Sequence, residues 1–162
     1  MIYDLKKIND ELNVLPVWQD QICLQGTKTN KDPFAGIGKG KKIPGYELEF
    51  KYPLFDMPYI NSIIKEHNLY RVRIMKLKSK TCYSYHQDPT MRIHIPLITN
   101  DNCFMIIDEK VEKLREGITY HVDTTKMHTA INAGKYLRFH MVFCLPPIED
   151  GRTKNQLEFD LE

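Results

Sequence analysis

Four of the six histidines fall between His86 and His128, and the first of them opens the tripeptide His86-Gln87-Asp88. Side chains at i and i+2 of an extended segment point to the same side. His86 and Asp88 can therefore reach one ion from one strand end. His128 comes 42 residues later, after Thr124-Thr125-Lys126 and at the entrance to another strand. Two imidazoles and one carboxylate on a rigid β scaffold make a facial triad, which leaves one side of an octahedron open and suits non-haem Fe(II). Alone, a His-x-Asp tripeptide arises by chance, and Asp88-Pro89 also opens a turn. Its company strengthens it.

Arg138 follows His128 by ten residues, and Arg92 follows His86 by six. Arg138 shares a strand face with Tyr136 and His140, opposite Leu137, Phe139 and Met141; Arg92, His94 and Pro96 alternate against Met91, Ile93, Ile95 and Leu97. An arginine among apolar strand residues is costly to bury unless an anion meets it. Its fork fits a carboxylate with two parallel hydrogen bonds. A metal with open positions plus inward arginines suits a dicarboxylate cosubstrate, one end on the metal and the distal carboxylate on an arginine. Singly, each arginine reads better as a solvated outer position with a surface salt bridge; jointly they do not.

These side chains need a scaffold, and the chain changes texture at Tyr70. Before it, residues 4–15 suit a short helix stopped by Pro16. Residues 57–67 suit a second, with Asp56 as cap, Pro58 in the first turn and Ile60, Ile63 and Ile64 on one face. Residues 21–25 look like a strand adding to a barrel edge, with Trp18 in the core. After Tyr70 come short strands at 71–77, 91–97, 103–107, 118–122 and 136–145, separated by turn residues such as Gly117 and Ala133-Gly134-Lys135. Many short strands at this spacing suggest an antiparallel sandwich or barrel, of which the jelly roll is one form.

Composition removes other classes. The 162 residues carry 23 Lys+Arg against 21 Asp+Glu, a net charge of +2, which gives no global field for nucleic acid or an anionic membrane. One domain is the default at this length. The 42% hydrophobic and 27% charged fractions are those of a globular protein. No apolar run approaches the roughly 20 residues of a membrane span, and Met1–Lys7 carries charges where a secretory leader is apolar. Cys23, Cys82, Cys103 and Cys144 form no CxxC pair. A soluble, cytoplasmic protein is expected.

Several residues keep two readings. His94 and His140 either line the pocket or are hydrogen-bonded structural histidines. Asn132 either contacts a cosubstrate or satisfies turn backbone. Cys82-x-x-x-His86 offers two zinc ligands but has no second pair as close. The Lys- and Gly-rich stretch 28–45 lacks the Ser/Thr and helix of a phosphate loop; it is a solvated loop, or a lid over the metal.

The runs Arg71-Val-Arg-Ile-Met, Tyr85-His86-Gln-Asp88-Pro-Thr-Met-Arg92-Ile-His94-Ile-Pro-Leu, Val122-Asp-Thr-Thr-Lys-Met-His128-Thr-Ala-Ile-Asn132 and Arg138-Phe-His140 together resemble the aspartyl/asparaginyl β-hydroxylase family of 2-oxoglutarate- and Fe(II)-dependent oxygenases. The resemblance spans roughly residues 70 to 145. It implies a double-stranded β-helix, a cupin-like jelly roll behind N-terminal helices. The single domain 1–162 then divides into helical support and lid loop (1–70) and a metal-binding core (71–145). His86 and His128 match the family's iron histidines, with Asp88 as the acidic ligand that some members, including the namesake enzyme, lack. Arg138 matches the arginine on the distal carboxylate of 2-oxoglutarate, and Arg92-x-His94 matches a pair whose arginine also helps bind the cosubstrate. The activity implied is hydroxylation of an unactivated C–H of an amino acid, a small metabolite or an Asp, Asn or Pro side chain, using O2 and releasing succinate and CO2. The substrate is then small or peptide-like. The alternative from another class is a non-catalytic cupin-like module that binds a metal or a small acid as a sensor.

Overall fold

From Tyr70 onward the alternation of residue types has the period of strands buried on one face. In the computed structural model, which describes residues 3–38 and 46–144, three short strands come first: β1 (Gln21–Cys23), β2 (Gln25–Gly26) and β3 (Tyr52–Pro53). Eight more follow: β4 (Tyr70–Leu77), β5 (Thr81–Cys82), β6 (Arg92–Ile98), β7 (Cys103–Ile107), β8 (Lys110–Glu112), β9 (Tyr120–Val122), β10 (His128–Asn132) and β11 (Arg138–Cys144). They form two antiparallel sheets, ordered β1-β4-β11-β6-β9 and β5-β10-β7-β8. The chain crosses between the sheets after each strand, or after the β7-β8 hairpin, so the eight strands wind as the expected jelly roll. β1 adds to the edge beside β4, with Ile22 opposite Ile74.

The outer face of the five-stranded sheet is apolar. Val72 and Ile74 of β4, Ile93 and Ile95 of β6, and Met141 and Phe143 of β11 pack there against two helices. The first, α1 (Leu5–Glu11), starts at Asp4, whose carboxylate accepts from Lys7 N at 3.1 Å, and runs into a 3-10 turn, Leu12–Val14, before Pro16. It contributes Ile8. The second, α2 (Pro58–Glu66), buries Ile60, Ile63 and Ile64, the spacing of one helix face. Each fully buried isoleucine contributes roughly 1.5–3 kcal/mol. Trp18 joins this core edge-on to Phe139, with ring centroids 5.8 Å apart.

The cap of α2 is a correction. Asp56 does not supply it; the backbone N–H groups of Tyr59 and Ile60 donate to the Glu11 carboxylate at 2.6 and 2.8 Å. The last residue of α1 thus caps α2 and ties the two helices together.

Residues alternating with the core positions turn inward, between the sheets. Among them are Arg73 and Met75 of β4, Arg92 and His94 of β6, and Arg138 and His140 of β11. Leu77, Met105, Leu114, Val122 and Ala130 form a second, smaller apolar cluster. Of the stretch 28–45 anticipated as a lid, residues 39–45 lie outside the described residues, as do 145–162. Among the described residues no helix is long and apolar enough to cross a membrane.

Candidate metal centre

Beyond β5 the backbone runs beside β10. Tyr83 N donates to Ala130 O at 3.0 Å, His86 N to His128 O at 3.0 Å, and His128 N back to His86 O at 2.8 Å. This bridge sets the two imidazoles side by side, with ring centroids 4.4 Å apart. Two residues on, Asp88 N bonds Thr124 O at 2.8 Å. The ligand atoms of His86, Asp88 and His128 lie within 4.8 Å of one another, and no other such group of three His, Cys, Asp or Glu exists among the described residues. Cys82 is exposed and outside the cluster.

The rings are already set for a metal. His86 Nδ1 lies 2.6 Å from Ser84 O, and His128 Nδ1 lies 2.9 Å from Lys126 O. A carbonyl only accepts, so Nδ1 is the donor in each ring, which in the neutral form leaves the Nε2 lone pair for a ligand bond. Burial holds the His128 pKa below the ordinary value, against the opposing pull of the Lys126 carbonyl and Asp88. The neutral ring is the form a metal needs. Two such nitrogens and one carboxylate fit a divalent transition metal with open positions.

The triad stands on the wall of a cavity of about 460 Å³, inside the roughly 300–1,000 Å³ range of small-molecule sites. Arg138 lines it too, 2% exposed, with no ion-pair partner among the described residues and no hydrogen bond at its Nε. Burial lowers its pKa. His94 also faces the cavity.

Arg92 is on the wall but is engaged by protein. It donates to both oxygens of Glu47, at 2.7 and 3.1 Å, and its Nε stands 3.1 Å from Asp88 Oδ2, an ion pair without a linear hydrogen bond. Its protein partners are thus the Glu47 carboxylate and Asp88, the acidic member of the candidate metal triad.

Two further residues with two readings lie off the cavity wall. His140 is absent from the cavity wall. Its Nδ1 lies 3.2 Å from His94 Nδ1, and burial keeps both rings well below the ordinary pKa, with the Arg138 charge adding to the effect. Both are neutral, one donating to the other. Asn132 is fully buried away from the cavity. Its amide donates to Leu77 O and Tyr136 O at 3.1 and 2.8 Å, and its oxygen accepts from Gly134 N and Cys103 Sγ at 3.0 and 3.2 Å. Of its two readings, the turn-backbone one holds, because no hydrogen-bonding capacity is left over.

Three cavity residues escaped the sequence. Glu47, in the 3-10 turn Tyr46–Glu49, bonds Arg71 at 2.6 Å and Thr90 at 2.6 Å besides Arg92. Burial raises its pKa, but the two guanidiniums and Thr90 outweigh it and the net shift is downward. Nothing local distinguishes a glutamate in Tyr46-Glu47-Leu48-Glu49 from a surface one. Arg71 and Arg73 did carry a signal, since they alternate with Val72 and Ile74 as Arg92 and Arg138 do with their apolar neighbours. Arg71, at the left-handed φ of 49°, also grips the carbonyls of Gly36 and Gly38. A Cβ on Gly36 would meet the Phe50 ring at 2.6 Å, so only glycine lets that carbonyl approach.

A model of the aspartyl/asparaginyl beta-hydroxylase family matches residues 6–145. No curated protein sequence matches the chain. Among solved structures, it is similar to a cupin domain from Bordetella pertussis Tohama I (14% identity, TM-score 0.42, over 49% of this chain and 82% of that one). It is also similar to a predicted oxalate decarboxylase from Thermotoga maritima (14% identity, TM-score 0.43, over 53% and 73%). A third is a DMSP lyase from Ruegeria pomeroyi DSS-3 (14% identity, TM-score 0.42, over 51% and 41%).

Proposed function

The chain belongs to the aspartyl/asparaginyl β-hydroxylase family, and from that premise we propose that it is an Fe(II)- and 2-oxoglutarate-dependent dioxygenase hydroxylating an unactivated C–H of a small-molecule or peptide-like substrate. When bound, Fe(II) with 2-oxoglutarate and O2 supplies the oxidising chemistry, and succinate and CO2 are released.

The chain's own residues prepare for it. His86 and His128 offer Nε2, each fixed by its Nδ1–H bond to a carbonyl, and Asp88 offers a carboxylate steadied by Arg92. Arg138 receives the distal carboxylate of the cosubstrate, since among the described residues its buried fork has no anion to satisfy it. His94, uncharged, gives the cavity a hydrogen-bonding wall without adding positive charge. Met75, Met105, Ala130 and Val142 line the same space with apolar surface, which excludes water and strengthens the electrostatic contacts inside. The observation that carries the proposal is the presence, in one cavity, of a pre-oriented His-Asp-His triad and an unpaired buried arginine.

The test is mass spectrometry of the purified protein with Fe(II), 2-oxoglutarate, ascorbate and a panel of amino acids and peptides. An enzyme of this class yields succinate, slowly even without its prime substrate, and a product heavier by one oxygen atom. A non-catalytic binding module yields neither.

A further inference from the structure

Behind the large cavity lies a second one, of about 10 Å³. Arg138 and Met105 line both, so they form the partition between them. His140, two residues along β11 from Arg138, lines the small cavity and not the large one. Its ring is held from the other side by His94, which does face the large cavity.

Two buried polar atoms belong to these residues. Arg138 Nε and His140 Nε2 each have no hydrogen-bond partner among the described residues. Both side chains are 2% exposed, and polar atoms buried without partners oppose folding. Thr99, also on the small cavity's wall, carries a hydroxyl. A buried water needs roughly 10–15 Å³ and about two to four polar neighbours, whereas cavities that stay dry are apolar. The small cavity has the volume of one water and the wall of a wet site.

A water also fits the hydrogen-bond roles. Alternate residues of a strand stand about 7 Å apart at Cα, and two hydrogen bonds of about 3 Å each meet at one oxygen within that span. His140 Nδ1 lies 3.2 Å from His94 Nδ1, so one ring donates to the other, and His140 Nε2 is left as either acceptor or donor. Water answers both tautomers while accepting from Arg138 Nε–H.

We propose that one buried water occupies this small cavity, bonded to Arg138 Nε and His140 Nε2, and that His140 is thereby a positioning residue for the Arg138 fork. An arginine already held at Nε loses less freedom when its fork meets a carboxylate, so the carboxylate binds more tightly. The positioning role rests on the proposed cosubstrate contact of Arg138; the water site does not.

The first test is a crystal structure of the metal-free full chain at a resolution that shows single waters. The expected result is one water within about 3 Å of both Arg138 Nε and His140 Nε2. A dry cavity, or a water that touches only one of the two, overturns the proposal.

The second test is calorimetric titration of 2-oxoglutarate into the full chain loaded with Zn(II), which binds cosubstrate without turnover. His140→Asn keeps an amide near the Nδ1 position, facing His94, and removes the group at Nε2; His140→Gln places its amide near Nε2. Loss of one hydrogen bond to a charged group should weaken 2-oxoglutarate binding by about 10-fold in His140→Asn. His140→Gln should recover most of that affinity, and Zn(II) binding should be unchanged in both. No 2-oxoglutarate binding to wild type overturns the cosubstrate reading, and the positioning role with it, even where the water is seen. Wild-type binding matched by His140→Asn overturns the positioning role alone. Melting temperatures separate a purely structural histidine: both variants melting lower, with 2-oxoglutarate affinity unchanged in the folded protein, also overturns that role.

Discussion

Arg92 Nε lies 3.1 Å from Asp88 Oδ2 while the same guanidinium donates to Glu47 at 2.7 Å. A glutamate from the N-terminal half of the chain thereby steadies, through one arginine, the acidic member of the candidate metal triad. Partners of this kind typically change metal affinity by 10–100-fold when removed. Glu47→Ala should therefore weaken metal binding by about 10-fold or more, measured by anaerobic titration with Co(II), and should alter the visible spectrum of the cobalt protein. Glu47→Gln should restore part of both. Unchanged affinity and spectrum would mean that the chain of ion pairs has no hold on the site.

Arg138→Gln should separate cosubstrate from metal. Two charge-assisted hydrogen bonds to a carboxylate are each worth about 1.5–3 kcal/mol, so the 2-oxoglutarate requirement should rise roughly 100-fold or more. Iron affinity should change little, because Arg138 touches none of the three ligands. Steady-state kinetics beside an iron titration tests this, and equal losses in both would contradict the assigned role.

Acid should destabilise the protein through His94 and His140. Both have folded-state pKa values well below 6.5, so below about pH 6.5 the unfolded chain takes up protons that the folded one refuses. Stability is then fully present above that pH and falls as pH drops toward the depressed folded values. The slope is at most about 1.4 kcal/mol per pH unit for each ring. Melting temperatures of the metal-free protein from pH 7.5 to 5 should show the decline, and a His94→Gln/His140→Gln double variant should flatten it.

Glu11→Ala should cost about 1 kcal/mol, as loss of a helix cap does. Thermal melting would show a lower midpoint with turnover per folded molecule unchanged, since Glu11 lies outside the cavity wall. The same residue marks where sequence reading stops. Asp56 is the acid adjacent to α2 in sequence, but the group that caps the helix comes from 48 residues earlier in the chain.

The rest of the contrast has the same origin. β4, β6 and β11 were legible because their two faces meet different surroundings, helices outside and a polar cavity inside, and alternation records that difference. His86 and Asp88 were legible because two residues apart on an extended chain means one side. Glu47 was not, since its value lies in two arginines 24 and 45 residues away. His140 and Asn132 share strand faces or segments with site residues, yet pack behind the cavity, a depth that periodicity does not encode. β5, β8 and the β2–β3 pair are two or three residues long, too short for any pattern to register.

The metal triad is most directly tested by anaerobic calorimetric titration of Fe(II) into wild type and His128→Ala, followed by 2-oxoglutarate. The expected outcome is one ferrous ion per wild-type chain, none held by the variant, and tight 2-oxoglutarate binding only where iron has bound. Iron binding of equal strength in His128→Ala, or none in wild type, would contradict it.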